Sequence, residues 1–538
     1  MSQELARNFN VLKEKADPAP YFLSYEITEE EYRSVAGTLG TIDSRGAGRS
    51  RALDISVRVG SPQLDNYHRV RGGGRGAAAQ FTSGAVITFE DNPNSLKRRM
   101  WLETDRAYRS AAERLIRIKT NTQVKTTEED ASGDFSSEPP ETALKLPPKA
   151  TFNAEEWSDR IRKYSARFRN YPGVLTSRVS VACQTETKYF VNTEGARLAY
   201  GRGFARIFIS ASAKAADGAD VANFESFEAT EPAGLPDEKI VFAAIDRVAN
   251  DVTSLLRAPE AEPFAGPAIF SGRAAGVFFH EIFGHRVEGH RQKDESEGQT
   301  FTKSVGGKVL PDFLSVVFDP TRHSIGGVEL NGWYDYDDEG VRARPVTVVE
   351  DGTLKTFLMS RSPIQGFDHS NGHGRRQPGL EVVSRQSNLI VASKKAVSEA
   401  QLRQMLIDEV KRQNKPYGLY FRDITGGFTT TARAGLQAFK VIPVIVYRVY
   451  TDGRPDELVR GADIVGTPLA SFSKILATGD QPEVFNGYCG AESGSVPVSA
   501  VSPSILVSEI EIEKTQKSTD RPPLLPEPTT LESRGGAQ

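Results

Sequence analysis

The chain has 538 residues, 38% hydrophobic and 25% charged, the balance of an ordinary globular protein of roughly two to four domains. Its net charge of −3 gives no overall field favouring nucleic acid or an anionic membrane. No apolar run approaches the ~18 residues of a membrane-spanning helix, and 2 cysteines are too few for a disulfide framework.

The opening MSQELARNFNVLKEKADPAP lacks an apolar signal core, so a cytoplasmic location is expected, in keeping with the sparse cysteines. The pattern is that of an α+β protein. An N-terminal α/β region is expected over 1–120. A middle α+β region follows over 121–258, with a flexible acidic and Pro-rich segment at 126–149. A mostly-β C-terminal domain spans 259–513, and a disordered tail runs over 514–538.

In the first region, Leu53–Gly60 and Ala85–Asp91 alternate apolar and polar residues as half-buried strands do. Two Arg- and Gly-rich pieces, Ser44–Arg51 and Arg69–Gln80, read as solvated hairpin loops, because neither a phosphate-loop lysine nor interleaved aromatics accompany them. Trp101–Lys119, Ala154–Phe168 and Pro236–Ala258 carry helical periodicity. Cys183 falls in a strand and reads as a small buried apolar side chain. Two Asp-Gly pairs, Asp351–Gly352 and Asp452–Gly453, predict hairpins. Val397–Arg412 predicts a helix.

The stretch AIFSGRAAGVFFHEIFGHRVEGH carries the chemistry. A short apolar strand ends at Phe270, Ser271 is a natural N-cap, and the helix after it is apolar nearly all round. Burying His280, Glu281 and His285 in such a helix is costly unless each finds a partner. Histidines five apart are separated by about 140° on a regular helix, against about 40° for the familiar four-residue spacing. A widened turn, a π-bulge eased by Gly284, would bring both rings to one face, and that bulge is the expectation. Two histidines do not complete a zinc site. On residue chemistry the third ligand stays open among Glu288, His290, His323, His369, His373 and Cys489. Cys489 is read as part of a Gly-flanked loop.

These residues resemble the TldD/PmbA family of metallopeptidases. HEIFGHRVEGH matches that family's HExxxH helix at His280, Glu281, Gly284, His285 and Glu288. YFVNTEGARLAY, YDDEGVRARPVTVVEDGTLKTFL and YCGAESGSVPVSAVSPSILVSEIEI resemble its further landmarks, so the likeness runs over about residues 190–512. It implies zinc held by His280, His285 and Cys489, with Glu281 as the general base, in a C-terminal metallopeptidase domain. It also implies short or unfolded peptides as substrates, and a homodimer or a heterodimer with a TldE/PmbA-like relative. Two positions depart from the family: Cys489–Gly494 lacks the usual lysine and glutamine, and residue 290 is His where an acid is common. Alternative readings are a non-catalytic peptide-binding subunit of such a dimer and a zinc hydrolase of a non-peptide amide. His290, His323 and Tyr334 are candidates for positioning an oxyanion. Asp335–Gly340 has calcium-loop acids but Val346 where the closing glutamate should be, so it reads as a solvated or channel-lining acidic turn.

Overall fold

Alternation in the N-terminal region builds a long ribbon. Pro20–Thr38 pairs antiparallel with Thr41–Ser61. On its other edge it pairs antiparallel with Thr176–Asn192, which pairs in turn with Arg197–Lys214 and that with Asp220–Ala229. All belong to one 8-stranded sheet. The break expected at residue 120 is therefore no break in the sheet: the register from Ser24↔Asn192 to Gly37↔Val179 joins the two expected regions edge to edge. The computed structural model describes residues 1–69, 84–122, 130–433, 439–466, 471–515, 522–523 and 525.

Helices cover this sheet because their apolar stripes require it. Glu238–Leu255 buries Val241, Ala244, Ile245, Val248, Ala249, Val252 and Leu255, a helical repeat along one face. Its N-cap Asp237 accepts the Ile240 N–H. With Trp157, Ile161 and Tyr164 of the Asn153-capped helix Ala154–Ala166, it packs on Val179, Val181, Ile207 and Ile209. Ser2–Lys15 and Pro93–Thr122 cover another part through Leu5, Met100, Ala111 and Leu115.

Two expectations here are corrected. Ser44–Arg51 is strand, not loop: it lies opposite Glu29–Ala36, where Arg49 and Arg51 pair with Glu29. The described part of the acidic segment is anchored rather than loose. Phe135 is sandwiched between the Arg58 and Arg361 guanidiniums, 3.8 and 3.9 Å from its ring centre, and Thr142–Lys145 adds an edge strand beside Arg197–Tyr200. Residues 123–129, Val70–Gln80 of the second Arg/Gly-rich piece and nearly all of the tail lie outside the described residues.

The C-terminal region is mostly strand, as expected, in a 12-stranded sheet that closes on itself. Gly494–Lys514 pairs with Ala462–Gly466, which pairs with Phe439–Val449, then Gly418–Thr429, then Phe264–Phe270, which returns to Gly494–Lys514. That ring is a barrel. Side-chain alternation divides it between two cores: Ala268, Phe270, Ile505 and Val507 face one, while Ile269 and Leu506 face the helix Glu399–Arg412 through Leu402 and Leu406. A register shift between Val507 and Ile510 resets the phase, so Ile510 and Ile512 rejoin the first core.

The Asp351–Gly352 pair forms the expected two-residue hairpin, with φ of 47° and 75° and Glu350 opposite Thr353. At Asp452–Gly453 the turn is wider, since ladder pairing resumes only at Glu457, beyond Pro455, which has no N–H to give.

Candidate metal centre

The histidine helix runs Gly272–Ile282, capped by Ser271, whose hydroxyl accepts the Ala274 N–H at 3.1 Å and donates to the Arg422 carbonyl at 2.7 Å. Phe278 and Phe279 are fully buried and meet Phe270, Phe439 and Phe472 of the barrel core. Gly276 lets the helix lie close on Gly494–Lys514: a Cβ there would stand 3.0 Å from the Ala500 carbonyl oxygen.

The expected π-bulge is not formed. The helix stops at Ile282, Phe283 caps it at φ −103° and ψ −52° with its N–H still on the Phe279 carbonyl, and a tighter 3-10 turn covers Gly284–Val287. The stop is possible because its freed carbonyls find donors. Arg286 Nη1 donates to the Ile282 carbonyl at 2.9 Å, and Gln386 Nε2 donates to the His280 carbonyl at 3.2 Å. Gly284 is needed for this approach, since a Cβ there would overlap Gln386 Oε1 at 1.9 Å. The His280 and His285 rings meet edge to face, centres 5.1 Å apart.

The third donor arrives from far along the chain. Cys489 is not in a loop but in the strand Ile475–Ala491, opposite Val496 of Gly494–Lys514, near the tip of a long hairpin. His280, His285 and Cys489 are buried, and one ligand atom from each lies within 4.8 Å of the others. Cys489 Sγ is 3.3 Å from His285 Nε2.

One buried cluster holds both halves together. Glu288 Oε2 faces His285 Nδ1 at 3.3 Å and accepts from Arg291 Nε at 2.8 Å. Its Oε1 lies 3.6 Å from Arg385 Nε. Arg385, fully buried, donates Nη2 to the Cys489 carbonyl at 2.6 Å, and Nη1 to Ser493 Oγ at 2.7 Å and the Gly494 carbonyl at 2.9 Å. Glu492 at the tip closes the set on His290 Nε2 and on Arg291 Nη2, the latter at 2.9 Å. Glu288 thus orients a histidine through its far nitrogen. Arg385, Gln386, Arg291 and Glu492 escaped the sequence reading. For Arg385 and Gln386 the signal is a polar run, Ser384–Asn388, between strand-like segments; Arg291 and Glu492 carry none.

The other candidates are not among the three converging donors. His290 pairs with Glu492. His323 is exposed and stacks on Trp333 at 4.2 Å, and His369 is exposed beside Glu138. His373 is fully buried between Ser387 Oγ and Asn371, and burial pulls its pKa down to about 3. Tyr334 donates to the Gly372 carbonyl at 2.8 Å, and burial raises its phenol. Glu281, half-buried, lies beside Gly427 and makes no side-chain hydrogen bond among the described residues.

Asp337 and Asp338 of the acidic turn are buried. Asp337 accepts the N–H groups of Glu339, Val341 and Gly374 at 3.0, 2.9 and 3.0 Å. Asp338 pairs with Lys188 and accepts the Arg376 N–H at 2.7 Å. Backbone donors and buried cations serve these two carboxylates in place of bulk water, and both residues line a cavity.

His285, Cys489 and Glu288 shift one another's protonation. Burial lowers the His285 pKa, but Cys489 and Glu288 carry it well above the usual imidazole value. Burial raises the Cys489 thiol, but His285 and His280 draw it well below its usual value. Burial raises Glu288, and His285 and Arg291 bring it to about 2. Two imidazoles and a thiolate, buried and convergent, are a zinc-type donor set.

A family model described as the PmbA/TldA metallopeptidase C-terminal domain matches residues 265–514. A metalloprotease of Archaeoglobus fulgidus is 30% identical over 240 residues, 44% of this chain and 51% of that protein. A metalloprotease TldD homolog of Haemophilus influenzae is 26% identical over 254 residues, 46% of this chain and 48% of that protein. A zinc metalloprotease TldD homolog of Saccharolobus solfataricus is 24% identical over 256 residues, 46% of this chain and 52% of that protein. The chain thus spans about half the length of these relatives. Among solved structures, a Thermotoga maritima protein described as a modulator of a DNA gyrase has a TM-score of 0.63 at 17% identity, covering 95% of this chain and 99% of that one. TldE of Thermococcus kodakarensis has 0.60 at 12%, covering 94% and 100%.

Proposed function

We propose that the chain, whose residues 265–514 match the PmbA/TldA metallopeptidase C-terminal domain, is a zinc-dependent peptidase of the TldD/PmbA family acting on short or unfolded peptides. The observation that carries the reading is the convergence of His280, His285 and Cys489 within 4.8 Å. These three would hold the zinc, which when bound supplies Lewis acidity and a water of lowered pKa. Glu281, next in sequence to His280, would take a proton at its carboxylate as water attacks the peptide carbonyl, then pass it to the departing amine. Among the described residues its carboxylate has no hydrogen-bond partner, which leaves it free for the task. Glu288 and Arg385 hold the ring and the strand that bear two of the donors.

The intact His-Glu pair supports a catalytic subunit over a non-catalytic peptide-binding one. The fold likeness to TldE supports assembly as a homodimer, or with a TldE/PmbA-like relative. Among the described residues no helix is long and apolar enough to cross a membrane.

Metal analysis with a peptide-cleavage assay tests the reading. We expect about one zinc per chain, lost in Cys489→Ser. Glu281→Gln should keep the zinc and lose about 100-fold or more of the cleavage rate. Undiminished cleavage by Glu281→Gln would remove the assigned base, and an unchanged zinc content in Cys489→Ser would remove the assigned ligand.

A further inference from the structure

A cavity of about 250 Å³ lies between the face of the N-terminal sheet and the hairpin that carries Cys489. Tyr488 and Val496, the chain neighbour and cross-strand partner of Cys489, form part of its wall. Two arginines line it without a carboxylate partner among the described residues. Arg375, only 6% exposed, fixes its guanidinium by donating Nη1 to the carbonyls of Gln386 and Pro497 at 2.6 and 2.8 Å. Its Nε and Nη2 have no acceptor among the described residues. Its flat face stacks on Tyr334 at 4.6 Å. Arg202 donates to the Asn331 side chain at 2.6 Å and is framed by Trp333 and Phe204, 5.5 and 5.9 Å from their ring centres.

The remaining charges of the wall are arranged differently. Lys188 is neutralised by Asp338, Arg376 by Glu26 and Asp54, and Asp337 is taken up by three backbone N–H groups. Glu186 lies 4.0 Å from Lys188 and makes no hydrogen bond of its own among the described residues, while Glu30 accepts from Ser50 and Gln184. The cavity therefore offers preorganised donors from Arg375 and Arg202 and acceptors from Glu186 and Glu30. Guanidinium forks bind carboxylates bidentately. A peptide's chain end presents a carboxylate with an N–H at a fixed short offset, which matches donors and acceptors sharing one small space. An acidic side chain carries no such N–H.

We propose that this cavity binds the free C-terminal carboxylate of a peptide, held by Arg375 and Arg202, so that the protein selects peptides by their carboxyl end. The inference rests on the peptidase reading only in taking a peptide as the ligand. Calorimetric binding to the wild-type protein and to Glu281→Gln tests it, using a short N-acetylated neutral peptide as its free acid and as its C-terminal amide. The acid should bind about tenfold tighter or more. Arg375→Gln should erase most of that preference, and Arg375→Lys, which keeps the charge but not the fork, should restore only part. Equal binding of acid and amide to the wild type would overturn the proposal, whatever the variants do. An amide bearing an internal glutamate that binds as tightly as the acid would also overturn it, since the site would then read side chains. Acid-selective binding without cleavage in any arm would uphold the carboxylate site while the peptidase reading alone failed.

Discussion

The chain buries two polar clusters in the same half of the molecule, and they differ in what their partners leave over. In the acidic turn Asp335–Gly340, Asp337 is satisfied by backbone N–H groups, and Asp338 by Lys188 and the Arg376 N–H. Among the described residues no histidine or cysteine converges there with the carboxylates. At the helix end, the partners of His285 and Cys489 secure the far side of each group, Glu288 on Nδ1 and Arg385 on the Cys489 carbonyl. The Nε2 and Sγ atoms are left aimed at each other. Burial and charge alone would rank the two clusters alike. The direction of the unsatisfied atoms separates them.

Breaking one cluster should move stability and breaking the other should move metal. The largest effect belongs to Asp338→Asn. It strands the buried Lys188 ammonium and should cost about 3–5 kcal/mol in chemical denaturation while leaving zinc content unchanged. Burial raises the Asp338 carboxyl but Lys188 lowers it further, so its folded pKa lies below the unfolded one. Its contribution is then complete above about pH 4 and fades as pH falls through the folded value. The gap between wild type and variant should narrow in acid accordingly.

Glu288→Gln should act the other way. It should weaken zinc affinity by about 10–100-fold in chelator competition, because His285 loses the carboxylate that orients it. A variant with unchanged affinity would show that Glu288 is only a neighbour. The smallest effect is expected at the N-terminal ribbon. Arg49→Ala removes a partly exposed pair with Glu29 and should cost about 1 kcal/mol or less, with zinc binding untouched.

Much of this was legible from sequence where one local rule decides. The Asp351–Gly352 turn, the stripe of Glu238–Leu255 and the all-apolar histidine helix follow from two- and 3.6-residue periods. The sheet joining residues on both sides of position 120 was not legible, since edge pairing across a long insertion leaves no local trace. At the centre, His280, Glu281 and His285 announce themselves by burial cost. The geometry that unites the two rings depends on Gln386 and Arg286 capping a broken helix, and sequence spacing favoured a bulge instead. Arg385 and Glu492 could not be matched to their partners from sequence, because those partners lie some hundred or two hundred residues away.

X-ray absorption at the zinc edge of the metal-loaded protein tests the shared site most directly. One sulfur at about 2.3 Å beside two imidazole nitrogens at about 2.0–2.1 Å is the expected result. A coordination sphere of nitrogen and oxygen alone, without sulfur, would contradict it.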